Sequence, residues 1–100
     1  MPEIFSFDVE TVNGDHLVYL RGELDLANAE RLKDALIEAG RSTVVVDLSD
    51  LTFTDSSGIA ALLAARRTIT ADGSGFVLRG ASGVVRRVFE ITGLAQLLAD

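Results

Sequence analysis

The run Asp55-Ser56-Ser57-Gly58 gathers a carboxylate, two hydroxyls and a glycine within four residues. Behind it Ile59, Leu62 and Leu63 recur at helical spacing, so Ser56 falls at the cap or first residue of a helix. At such a position unpaired backbone N–H groups and the positive end of the helix dipole meet solvent, a setting that tolerates a phosphate. Ser56 is therefore a candidate phosphoryl acceptor. Gly58, a poor helix former with no Cβ, is expected to let a phosphate or a partner's backbone come close. Glu23, Asp25, Asp50 and Asp55 are expected on the same rim, where a phosphate adding roughly −1.5 to −2 charge would repel a docked partner. Aspartate and serine are also ordinary capping residues, and a plain helix start accounts for the same four residues.

Other chemistry finds little support. His16, the one histidine, belongs at the turn end of a hairpin as a partly covered structural residue. A triad of Ser56, His16 and Asp25 lacks the G-x-S-x-G elbow, and His16 sits at the wrong end of its strand. No catalytic residue is assigned, and no enzymatic activity is expected. The carboxylates have no regular cation-ligand spacing, and Gly73, Gly75 and Gly83 form no phosphate-cradling loop. Without cysteine there are no disulfides, thiolate nucleophiles or cysteine-based metal sites, and a reducing cytoplasm is the natural compartment. No metal or cofactor is expected. Ala60, Ala61, Ala64 and Ala65 fit tight packing on a sheet, or a flat docking face beside Ser56 if one side is exposed.

The elements that must position these residues can be read from periodicity. From Ile4 to Val12, Phe5, Phe7 and Val9 alternate with Ser6, Asp8 and Glu10, which is strand patterning. Asn13-Gly14 suits the positive φ angles of a tight hairpin turn, and His16 to Arg21 alternates again. Pairing Val12 with Asp15 sets Val9 opposite Val18 and Phe7 opposite Leu20, so the two apolar faces coincide. Gly22-Glu23-Leu24-Asp25 is expected to break the strand, with Asp25 capping a helix over 26–39 whose stripe is Leu32, Ala35, Leu36 and Ala39 and whose stop is Gly40. The run Val44 to Leu48 reads as a central parallel strand covered on both faces. A loop from Ser49 to Thr54 leads into the helix at Ser56, which reaches about Thr70. Phe76 to Arg79 is another strand. Ser82 caps a last helix with the stripe Val85, Val88, Phe89 and Thr92 and a stop at Gly93; the sequence leaves Leu94 to Leu98 open between edge strand and helical turn.

The order β-β-α-β-α-β-α predicts an α/β fold: a mixed sheet that opens with an antiparallel hairpin and continues through parallel strands joined by helical crossovers. Loops leaving the carboxyl ends of neighbouring parallel strands share one edge, which brings Gly22–Asp25 beside Asp50–Ser56. One hundred residues, 48% of them apolar, suit a single domain over 1–100. A net charge of −6 argues against nucleic acid, and the pairs Arg66-Arg67 and Arg86-Arg87 read as solvated faces. Apolar runs too short to span a bilayer exclude a membrane segment, and MPEIFSFDVE lacks the pattern of an export signal.

Three stretches resemble the STAS domain, in particular the stand-alone anti-sigma-factor antagonists: Leu20 to Asp25, Val44 to Gly58 and Val88 to Leu94, in the expected order and over nearly the whole chain. The resemblance implies a STAS-like fold and a protein-binding switch. The family's D-S-[ST]-G motif places the phosphorylated serine directly after the aspartate, at Ser56 rather than Ser57. It implies an anti-sigma factor that is also a serine kinase as partner, and a serine phosphatase as reset; the unphosphorylated form captures the kinase and frees the sigma factor. Glu23, Asp25, Asp55, Ser56, Ser57 and Gly58 are the partner-binding residues this reading selects. The alternative is a STAS scaffold or accessory subunit of a signalling assembly or membrane transporter, without kinase-driven release. Many members continue past the position of Leu94 with a strand and a closing helix, so that end of the sheet is expected to be less covered here.

Overall fold

The computed structural model describes residues 5–39 and 41–99. Ile4 and Gly40, expected to start the first strand and stop the first helix, lie outside them. The hairpin is β1 (Ser6–Val12) and β2 (Asp15–Leu24). Its register is the one set by Asn13-Gly14: Val12 faces Asp15, Val9 faces Val18 and Phe7 faces Leu20. Both turn residues have positive φ, 52° at Asn13 and 85° at Gly14, the geometry whose twist matches that of the flanking strands. The apolar faces align, but cover fades along this edge strand: Phe5 is buried, Phe7 half-buried and Val9 51% exposed.

The chain continues through α1 (Leu26–Ala39), β3 (Val44–Thr54), α2 (Ser56–Ala71), β4 (Phe76–Arg79), α3 (Gly83–Ile91) and a 3-10 turn, Ala95–Leu97. The sheet order is β1-β2-β3-β4, with β2, β3 and β4 parallel. Val18, Val46 and Leu78 stand in register across three strands, and their face packs into one buried cluster with Leu32 and Leu36 of α1, Ile59 and Leu62 of α2, and Val85 and Phe89 of α3. Burial of each large side chain contributes about 1.5–3 kcal/mol.

Local expectations are corrected in three places. Gly22 does not end β2; at a φ of 90° it accommodates irregular register with β3, and pairing resumes through Glu23 and Leu24. Ser49 to Thr54 is strand rather than loop, because those residues keep pairing with β2 as far as Thr54 against Leu24. The β-branched run of β3 is not covered on both faces: Val44, Val46 and Leu48 are buried, whereas Val45 and Asp47 are half-buried on the side that also carries Tyr19 and Arg79. There a polar row, Asp8, Tyr19, Asp47 and Arg79, crosses all four strands. The Nε of Arg79 donates to Asp47 at 3.0 Å.

In α3, Val85 and Phe89 are buried, Val88 is half-buried and Thr92 is exposed, so the inner stripe is narrower than its periodicity suggested. Ser82 holds the N-cap position with extended backbone, but its side chain makes no capping bond. Gly93 is the stop: its N–H donates to Glu90 and that of Leu94 to Phe89, the paired bonds that close a helix through a left-handed glycine. Leu94 to Leu98 combines both readings left open, a 3-10 turn followed by one parallel bridge from Leu98 to Leu78.

Candidate functional site

The site lies where β2 and β3 end together. Leu24 pairs with Thr54, so Asp25 and Asp55 leave adjacent strands and cap adjacent helices. Each aspartate has a local reason to be there. Asp25 Oδ1 accepts from the Ala27 N–H at 3.0 Å, and Asn28 Oδ1 accepts in return from the Asp25 N–H at 3.0 Å, a reciprocal box that satisfies two otherwise orphaned donors. Asn28 Nδ2 also donates to the Glu23 carbonyl at 3.0 Å, tying the strand end to the helix start. The sequence reading missed Asn28, although its place three residues after the cap was the available signal.

Asp55 ties the end of β2 to the start of α2. Its N–H donates to the Leu24 carbonyl at 3.3 Å, its Oδ1 accepts from the Gly58 N–H at 3.0 Å, and its carbonyl accepts from the Ile59 N–H at 3.1 Å. Two of the four donors that open α2 are thereby taken. Ser56 is the first residue of α2; it is exposed, and its hydroxyl has no hydrogen-bond partner among the described residues. Ser57 is half-buried and lines a groove of about 350 Å³ between α1 and α2, together with Leu26, Ala60 and Ala64. The alanines divide between both readings: Ala61 and Ala65 are buried in the packing, while Ala60 is exposed beside Ser56.

Gly58 faces the opposite way from its expected role. It is buried, and a Cβ added to it would lie 2.2 Å from Thr54 Oγ1 and 2.8 Å from Leu24 Cγ. The close approach that this glycine permits is between α2 and the ends of β2 and β3, not between α2 and a ligand. Asp50 is likewise not gathered at the rim. It sits in β3 opposite Arg21, and five residues of extended chain at about 3.3 Å each place it some 16 Å upstream of Asp55. The carboxylates brought together by the two strand ends are Glu23, Asp25 and Asp55. His16, half-buried at the turn end of β2 with Thr11 Oγ1 3.3 Å from its Nδ1, is far from them along the sheet. Among the described residues no cluster of histidine, cysteine, aspartate or glutamate could hold a metal ion, and no helix is long and apolar enough to cross a membrane.

A family model described as "Mlab, STAS domain" matches residues 7–99. The chain belongs to the STAS domain family. Its relatives within that family include the anti-sigma-B factor antagonist of Listeria monocytogenes, 30% identical over 97 residues that span 93% of this chain and 85% of that protein. The anti-sigma F factor antagonist of Lysinibacillus sphaericus is 30% identical over 99 residues, covering 94% and 85% respectively. Among solved structures, the STAS domain described here superposes on the anti-sigma factor antagonist SpoIIAA in its unphosphorylated form with a TM-score of 0.82 at 29% identity, over 95% of this chain and 87% of that one. The phosphorylated form of the Bacillus cell fate determinant SpoIIAA matches with a TM-score of 0.73 at 29% identity, over 95% and 90%. The hairpin-led sheet and its three helices are thus the STAS fold.

Proposed function

We propose that this STAS domain is an anti-sigma-factor antagonist, a protein-binding module switched by phosphorylation of Ser56 rather than an enzyme. The observation that carries the reading is the exposed Ser56 hydroxyl, unpartnered among the described residues, at the first residue of α2 beside two capping carboxylates. The unphosphorylated form captures an anti-sigma factor that is also a serine kinase, and so releases a sigma factor. Phosphorylation ends the complex, and a serine phosphatase restores it. Relatives that carry the antagonist name, and a neighbour solved in both phosphorylation states, support this assignment.

The switch follows from electrostatics. With Glu23, Asp25 and Asp55 at the strand ends, the unmodified rim is already acidic. A phosphate adds roughly −1.5 to −2 charge at the only one of these side chains that starts neutral. A unit charge about 4 Å from another contributes about 1 kcal/mol in water and about 4 kcal/mol in a partly desolvated interface. Even a single new carboxylate facing a partner's acidic group therefore weakens binding about fivefold or more.

Calorimetric titration of the purified anti-sigma partner tests the reading. Ser56→Asp is expected to bind at least about fivefold more weakly than wild type. Ser56→Ala is expected to bind normally and to remain bound when ATP is supplied. Equal affinity of Ser56→Asp and wild type would remove the repulsion mechanism. Peptide mass spectrometry after incubation with kinase and ATP should find one phosphate, on Ser56.

A further inference from the structure

Thr54 is the single buried polar residue among those described, 1% exposed at the last position of β3. A hydroxyl in such a place costs free energy unless it is hydrogen-bonded. Its Oγ1 donates to the Asp55 carbonyl at 3.3 Å, the same oxygen that accepts from Ile59 to open α2. The hydroxyl also occupies the volume in which a Cβ of Gly58 would lie. It thus touches the Asp55–Ser56 peptide and the first turn of α2 at once.

The geometry points to Thr54 as a positioning residue for Ser56, a role that rests on the phosphorylation reading above. The Asp55–Ser56 peptide is planar, so an oxygen held by two donors holds the Ser56 N–H as well. The Ser56 Cα, which carries the side chain that bears the acceptor hydroxyl, is the next atom in that plane. Threonine is suited to the task because branching at Cβ restricts χ1, which makes the hydroxyl a stiff strut rather than a mobile donor. The missing Cβ of Gly58 lets the strut stand where it does. Phosphoryl transfer depends on alignment of the attacking oxygen, and a displacement of about 1 Å can cost on the order of a hundredfold in rate. The switch serine is therefore presented by two inward-facing neighbours that no kinase touches.

The test compares Thr54→Val, which keeps branching and loses the hydroxyl, with Thr54→Ser, which keeps the hydroxyl. Both are studied as the full chain at a temperature where each is folded by circular dichroism. Amide hydrogen exchange is the first readout. Thr54→Val is expected to speed exchange about tenfold at Gly58 and Ile59, whose N–H groups are held by Asp55, while leaving the amides of Val18 and Val46 unchanged, and Thr54→Ser is expected to restore the wild-type pattern. Uniform acceleration across the sheet would reveal a merely structural role and overturn the proposal, as would wild-type exchange in Thr54→Val. The second readout is the initial rate of Ser56 phosphorylation in native-host cell extract with ATP, followed by intact mass: about tenfold slower for Thr54→Val, wild-type for Thr54→Ser. Wild-type protein that stays unmodified there would defeat the phosphorylation reading, while the exchange arm still decides whether Thr54 holds the Ser56 backbone.

Discussion

Gly58→Ala separates the inward role of this glycine from an outward one. In an exposed helix the change would stabilise the fold by up to about 1 kcal/mol, because glycine is the costlier residue in a helix. Here the new methyl would lie 2.2 Å from Thr54 Oγ1 and 2.8 Å from Leu24 Cγ, both well inside van der Waals contact. Neither neighbour can swing aside: Thr54 is stiff, buried and bonded to the Asp55 carbonyl, and Leu24 is fully buried. Overpacking of this severity costs about 3 kcal/mol, at the upper end of its usual range, which leaves about 2 kcal/mol of net destabilisation after the helical gain. For a domain of this size that is a fall in Tm of roughly 8–16 °C. Urea unfolding should show a lower midpoint at unchanged slope. Thr54→Ala in the same chain supplies the control. With the threonine trimmed, the added methyl should cost at least about 1 kcal/mol less than in the wild-type background, a coupling that contact between the two sites requires. A Gly58→Ala protein as stable as wild type, or strictly additive costs in the double variant, would refute the argument and return Gly58 to the outer surface.

Asp47 makes stability sensitive to acid. Burial opposes its ionisation, but hydrogen bonds from Ser49 and the Arg79 guanidinium outweigh that, and the carboxyl is held below the usual aspartate range. A folded-state value below the unfolded one adds stability that is fully present above about pH 3.9 and lost as pH falls through the depressed value. Asp47→Asn should flatten that acid-side decline in a series of thermal melts. Asp55→Ala removes the bond to the Gly58 N–H and should cost about 1 kcal/mol in urea unfolding. Phe89→Ala empties the centre of the cluster beneath α3 and should cost about 3–5 kcal/mol by the same measurement.

Much of the architecture was legible because its determinants act over a few neighbouring residues. Asn13-Gly14 specifies a turn whose two left-handed residues set the register of the hairpin, and Asp25 and Asp55 announce helix starts through their own side chains. What misled were residues whose role depends on the adjacent strand. Gly22 looked like a break, yet pairing with β3 carries β2 past it; Ser49 to Thr54 looked like a loop because polar and apolar residues mix in it, yet β2 supplies the partners for its backbone. Once that segment is extended, Asp50 is carried away from the rim it was expected to join.

The sequence by itself determined the order of elements, the hairpin register and the placement of one serine immediately after a helix cap, since turn chemistry, capping and periodicity are local. Only the tertiary structure decided which way Gly58 looks, which carboxylates gather beside Ser56 and which face of β3 is covered. Those outcomes depend on where a helix comes to rest against two strand ends joined by the bond from Asp55 to Leu24, a contact between residues thirty-one apart that no local pattern encodes.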